Sequence, residues 1–178
     1  SVSRQERYYY FKDSPLNPEQ RLVVDDIQNR VITVSARPGS GKTTALVNRM
    51  VKLIEKDHVD PKDIVLLTFT NKAKDEMKKR FLKMMRDKAL ARQVIFSTFH
   101  SYAAHLINAV PTLEERLFDD ARDALSEPAK RGRVVEKYAK KKYLMLDEAQ
   151  DMKEAYYELV CGMMKYNYNE KDDTYLQV

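Results

Sequence analysis

Glycine and proline are scarce in this chain, with 4 and 6 among 178 residues. That scarcity excludes a collagen-like or Gly/Pro-rich disordered chain and makes each position informative. Only one cysteine is present, Cys161, so no intramolecular disulfide can form. A reducing compartment, and hence a cytoplasmic setting, is the expectation. No histidine lies near Cys161, so it reads as a small buried hydrophobe rather than a nucleophile. The three histidines show no metal-ligand spacing. Apolar runs are only a few residues long, too short to span a bilayer. The first residues, SVSRQERYYYFKD, are too polar for a signal peptide.

What is present is charge and apolar mass together. Charged residues make up 33% and hydrophobic residues 43%, a globular rather than a disordered balance. The length is that of one ordinary domain, able to bury roughly 70% of its unfolded surface. Lys and Arg number 32 against 27 Asp and Glu, a net charge of +5 and a sequence pI near 9.1. That surplus fits a polyanionic partner without requiring one.

Short apolar strands alternate with long helices. Pro18, after Asn17 as N-cap, opens a helix. Residues 31–35, VITVS, are a β-branched run that reads as a buried strand. Leu46, Val47, Met50, Val51 and Ile54 carry the 3.6-residue period of an amphipathic helix. Pro61 interrupts the chain, and residues 64–69 form a second strand. A charged helix is predicted over 71–90, a strand over 93–98, and a helix from near Ser101 to Pro111. A charged helix over 113–125 and a basic stretch over 130–142 follow. Strands at 143–146 and 174–178 flank a helix over 153–165. The alternation predicts an α/β fold, a mostly parallel sheet with helices on both faces. Ligands in such sheets bind beyond the carboxyl ends of the strands.

Two segments carry chemistry at those ends. Residues 36–43, ARPGSGKT, match the phosphate-loop (Walker A) pattern, with Ala36 at the first glycine position. Gly39 and Gly41, flanked by Pro38 and Ser40, let backbone N–H groups turn toward phosphate oxygens. Lys42 supplies a point charge for the β- and γ-phosphates. Thr43 supplies a hydroxyl for Mg²⁺, and Thr44 follows in the helix whose positive dipole end faces the ligand. Residues 144–151, LMLDEAQD, end an apolar strand on two adjacent carboxylates. Asp147 can hold Mg²⁺ and Glu148 can act as general base on a water. By composition alone, the same pair also reads as acids in the first turn of a helix.

The ordered set resembles the N-terminal motor domain of UvrD/Rep-like superfamily 1A DNA helicases, a RecA-like P-loop NTPase domain. Leu16-Asn17-Pro18-Glu19-Gln20 resembles the Q motif, in which Gln20 would read the adenine edge. Residues 36–43 are the phosphate loop, residues 68–73 (TFTNKA) resemble motif Ia, and residues 97–101 (STFHS) resemble motif Ib. Residues 147–151, DEAQD, resemble motif II. The resemblance implies ATP and Mg²⁺ as cofactors and single-stranded DNA as partner. It implies DNA contacts at Phe69, Thr70, Asn71, Thr98 and His100, with translocation 3′ to 5′. It also implies that Gln150 senses the γ-phosphate and couples it to the DNA site. Phe99 is expected in the core. Read from the residues alone, Phe69 is a core aromatic and Thr70 and Ser101 are helix caps. Tyr8-Tyr9-Tyr10 and Tyr156-Tyr157 are expected to pack or to lie at an interface.

Departures from the family shape the expectation. Residues 1–178 are expected to be one motor domain, with motif III and the second motor domain absent. Residues 103–142 stand, reduced, where the family inserts domain 1B. Such a piece of a larger helicase would bind Mg-ATP weakly, hydrolyse it poorly, unwind no duplex and self-associate weakly through exposed apolar surface. Another P-loop ATPase, a nucleotide kinase, and a nucleic-acid-binding or interaction module with an idle P-loop are the competing readings. The basic residues of 130–142 either track a phosphate backbone or form a solvated face.

Overall fold

A computed structural model describes residues 42–110, 116–147 and 153–168. Helix α1, Lys42–Glu55, leads through a short 3-10 turn, Pro61–Asp63, into strand β1, Ile64–Thr68. Helices α2, Asn71–Met84, and α3, Lys88–Ala91, lead to β2, Ile95–Thr98. Helices α4, Phe99–Leu106, and α5, Arg116–Ser126, come next. A 3-10 turn, Pro128–Arg133, and the short α6, Glu136–Ala139, lead to β3, Tyr143–Leu146, and then α7, Glu154–Asn167. The strands expected at 31–35 and 174–178, the helix from Pro18, and Tyr8-Tyr9-Tyr10 lie outside the described residues.

The three described strands form a parallel sheet in the order β2-β1-β3. In register, Leu66 of β1 stands beside Phe96 of β2 and Met145 of β3. Alternate residues of β1 feed two separate cores. Ile64 and Leu66, with Met145, pack against Leu46, Val47 and Met50 of α1 and Met77 and Phe81 of α2. Val65 and Leu67, with Leu144, pack against α4, α5 and α7. Every residue of β1 is buried because both faces are covered, which is why its sequence runs IVLLT without alternation. Each fully buried apolar side chain there contributes about 1.5–3 kcal/mol. The arrangement is the α/β class expected from the sequence, a parallel sheet with helices on both faces.

Several element boundaries differ from the sequence expectation. The helix expected over 71–90 breaks after Met84. Met85 turns into extended backbone and is 1% exposed, and Asp87 starts a new helix by accepting from the Ala89 and Leu90 N–H groups. Lys88 then folds back, its ammonium donating to the Leu82 carbonyl and to Met85 O at 2.6 Å. No glycine or proline marks this break.

Helix α4 starts at Phe99, because Thr98 rather than Ser101 is the cap, and ends at Leu106. There Asn108 takes a left-handed φ of 51°. Ala109 N donates to Ala104 O at 2.9 Å and Asn108 N to His105 O at 3.4 Å, a Schellman-type ending four residues before Pro111. Strand β2 begins at Ile95, two residues later than expected.

One close approach was not foreseen. Gly162 of α7 faces α5, where a Cβ would meet Leu125 Cδ1 at 3.3 Å. Gly132, in the 3-10 turn after α5, has open space around it. Among the described residues no helix is long and apolar enough to cross a membrane.

Candidate functional site at the carboxyl edge of the sheet

The ends of all three described strands lie on one edge of the sheet, as parallel pairing dictates. Thr68 pairs in register with Thr98, and Asp147 N donates to Leu67 O at 3.1 Å, which carries the β1–β3 ladder one residue past Leu146. Thr68, Thr98 and Asp147 are therefore neighbours along this edge. The Asp147 side chain is only 5% exposed. Moving a carboxylate out of water is costly and favours a nearby cation or hydrogen-bond donor.

After β1 the chain turns sharply into α2. Thr68 Oγ1 donates to Thr70 O at 2.9 Å and closes that turn. Thr70 is the N-cap, its hydroxyl accepting from Ala73 N at 3.1 Å. Its backbone is extended, as N-caps require. Asn71 is exposed and accepts from the Lys74 ammonium at 3.2 Å.

The turn after β2 repeats the design. Thr98 caps α4, accepting from Ser101 N at 3.2 Å, and is 6% exposed. In both threonines the hydroxyl oxygen receives the cap bond, and its own O–H can still donate outward. Thr70, on the surface, is the better placed of the two for an outside acceptor.

The aromatics after the two strands form one cluster. Phe69 stacks on Phe99 with ring centroids 5.4 Å apart. Tyr156 of α7 touches four rings, at 4.6 Å from Phe99, 5.1 Å from Phe118, 5.4 Å from Phe69 and 5.9 Å from His100. Phe99 is in the core, as expected. Phe69 is half-buried, so its ring is partly committed to Phe99 and Tyr156. His100 stands edge-on to Phe118 at 5.0 Å. Its pKa is lowered, first by burial and then by the Lys153 charge, which favours the neutral ring. Tyr156 and Tyr157 pack inside, as expected. The role of Tyr156 as hub was not legible, because its ring partners come from three separate stretches of chain.

Of the residues expected to bind nucleotide, Lys42, Thr43 and Thr44 form the first turn of α1. The C-terminal end of α1 is held close to β1 through the short 56–63 connection, where Val59 N donates to Leu53 O at 2.9 Å. A helix of 14 residues spans about 21 Å, so its first turn is carried well away from that junction. Gln20, Pro38, Gly39, Ser40, Gly41, Glu148 and Gln150 lie outside the described residues.

The basic stretch over 130–142 is not one continuous face. Lys130 pairs with Glu127 at 3.2 Å, Lys140 with Glu136 at 3.8 Å, and Lys142 with Asp63 at 3.7 Å. Arg131 donates to Leu125 O at 3.2 Å and lies over the Tyr166 ring. Cys161 is buried, its thiol pushed up to about 12 by burial and by Glu158, which makes it unreactive.

The model of the UvrD/REP helicase N-terminal domain matches residues 16–122, more than half of the chain. The chain belongs to that family. The helicase domain is 39% identical over 95 residues to the ATP-dependent DNA helicase SRS2 of Saccharomyces cerevisiae, 53% of this chain and 8% of that protein. It is 40% identical over 105 residues to a probable DNA helicase II homolog of Mycoplasma genitalium, 59% of this chain and 14% of that one. Against the ATP-dependent DNA helicase PcrA of Staphylococcus aureus it is 38% identical over 93 residues, 52% of this chain and 12% of PcrA. The helicase domain thus spans a small fraction of the length of these relatives. The family match takes in residues 16–20, 36–43, 68–73 and 97–101 and stops short of Asp147.

Proposed function

We propose that this domain is the ATP-binding half of a DNA-translocating motor, with nucleotide and single-stranded DNA meeting the carboxyl edge of its sheet. One observation carries the proposal: in a chain of this family, a buried carboxylate, Asp147, ends β3 beside the threonine ends of β1 and β2. Binding chemistry concentrated on that edge is what a parallel α/β sheet provides.

The division of labour follows from residue chemistry. Gly39, Ser40 and Gly41 wrap the phosphates with backbone N–H groups, Pro38 stiffens the turn before them, and Thr44 extends that helix N-terminus. Lys42 sets a positive charge against the β- and γ-phosphates, and Gln20 reads the adenine edge. Asp147 and Thr43 offer the hard oxygen donors that Mg²⁺ takes in phosphate sites, so the donor set fits that ion. When bound, the ion neutralises phosphate oxygens. Glu148 accepts a proton from the attacking water, and Gln150 links the γ-phosphate to the strand site. On the DNA side, Thr70, Thr98 and the neutral His100 donate hydrogen bonds to phosphate or sugar, Asn71 adds an amide, and Phe69 offers the uncovered part of its ring to a base.

The matched relatives are several times longer than this chain, so the 178 residues alone bind Mg-ATP weakly and unwind no duplex. Domain 1B is represented by the reduced 103–142 segment, and the work is done in the cytoplasm, away from membranes. The test is a fluorescent Mg-nucleotide titration of the chain beside Lys42→Ala. A dissociation constant raised by about tenfold or more in the variant supports the proposal. Equal binding by both chains, or phosphate transfer to nucleoside monophosphates, overturns it.

A further inference from the structure

The opposite edge of the sheet holds a second concentration of charge. A pocket of about 680 Å³ opens where the chain enters the three strands. Lys62 stands just before β1, Arg92 before β2, and Lys140 and Lys141 before β3, with Lys137 of α6 completing the wall. Two carboxylates, Asp63 and Glu136, share it, leaving a surplus of three positive charges. These residues come from sequence stretches some 30 to 45 positions apart, and only parallel pairing brings them together. The Lys142 and Asp63 backbones are bonded at 2.9 Å, which locks two of the three entry loops to each other.

Lys141 makes the pocket unusual. It is 4% exposed, and its ammonium is held at 2.5 Å from the Lys62 carbonyl. A buried ammonium facing Lys137 has lost water and gained a like charge, and burial holds its pKa down at about 8. Asp63 and Asp60 pull the other way without cancelling that effect. An anion entering this pocket relieves the mutual repulsion of the cations and replaces water that Lys141 has given up. The pocket is an open cleft whose volume is in the range of small-ligand sites. Nothing at the carboxyl edge draws on these residues.

We propose that this amino-edge pocket is a second anion site, which takes a phosphate group independently of the phosphate loop. That chemistry has two sources, a free oligophosphate or the backbone of a nucleic-acid strand. The site does not depend on the nucleotide reading above. The probe is pyrophosphate without Mg²⁺, added to isotope-labelled chain and followed by amide shifts in a two-dimensional nuclear magnetic resonance spectrum.

The site requires saturable shifts over residues 92–95 and 137–141, unchanged in Lys42→Ala. Arg92→Glu combined with Lys137→Glu, both at exposed positions, should raise the pyrophosphate dissociation constant at least about tenfold. A short oligothymidylate is then titrated. If it moves the same amides and competes with pyrophosphate, a strand backbone is the source, and the charge-reversed chain should show a salt slope shallower by about 1.4. If only pyrophosphate moves them, the source is a free anion. Shifts confined to the phosphate loop, or full affinity in the charge-reversed chain, overturn the site.

Discussion

Replacing Tyr156 by Ala tests whether the aromatic cluster holds the carboxyl edge together. The ring is 9% exposed and meets Phe69, Phe99, His100 and Phe118 at centroid distances of 4.6 to 5.9 Å. Removing a large buried aromatic costs about 3–5 kcal/mol, made up of lost transfer energy and a residual cavity. Each well-placed aromatic pair is worth about 0.5–1.5 kcal/mol, which puts a ring with four partners toward the upper end. Small domains have about 5–15 kcal/mol in all, so this is a large share. In a chain of this size it corresponds to a fall in Tm of about 6–20 °C, at about 2–4 °C per kcal/mol.

The control is Tyr156→Phe. It keeps the ring and removes only a hydroxyl, so its cost should stay under about 0.5 kcal/mol. Urea and thermal unfolding followed by circular dichroism give both numbers. A cost below about 1 kcal/mol for Tyr156→Ala, or equal costs for the two variants, would show that the cluster is not what holds these elements. Because Tyr156 joins α7 to the turns after β1 and β2, Tyr156→Ala should also loosen the backbone at Thr70 and Thr98. Faster amide exchange at Ala73 and Ser101 would report that loosening.

Further predictions concern single contacts. Thr98→Ala and Thr70→Ala should each cost about 1 kcal/mol by losing a cap, and serine at either position should restore most of it; failure of serine to do so in urea unfolding argues against the capping role. Lys141 titrates near 8 when folded and near 10.5 when unfolded, so the unfolded chain holds more protons between those values. Stability should therefore rise with pH across that window, and Lys141→Met should flatten the rise; parallel pH profiles for the two chains contradict this. Cys161 should resist thiol reagents at pH 8 in the native chain and react fully in denaturant, since its thiol is pushed up to about 12 and buried. Rapid labelling of the native protein would refute its burial.

The alternation of strands and helices was legible because each described strand is a short apolar run and each long helix repeats its apolar residues every third or fourth position. Buried Phe99, Cys161, Tyr156 and Tyr157 followed from the same local rules. So did Thr70 as a cap, since a threonine between an apolar run and a helix has little else to do with its hydroxyl. The break at Met85 did not follow. Asp87 is an N-cap visible in the sequence, but whether the helix runs through it depends on the place Met85 finds against α1 and α2.

Periodicity in a sequence reports which residues leave water. It is silent on what they meet, because that depends on how distant segments cross. The sequence by itself therefore determined the parallel α/β plan and the residues that stand at the strand ends. Tertiary structure decided that Asp147 is buried, that four rings converge on Tyr156, and that the His100 pKa is lowered. It also divided the basic stretch into ion pairs and a pocket wall. Burial and charge compensation are sums over neighbours far apart in the chain, and only the folded arrangement of the strands supplies those neighbours.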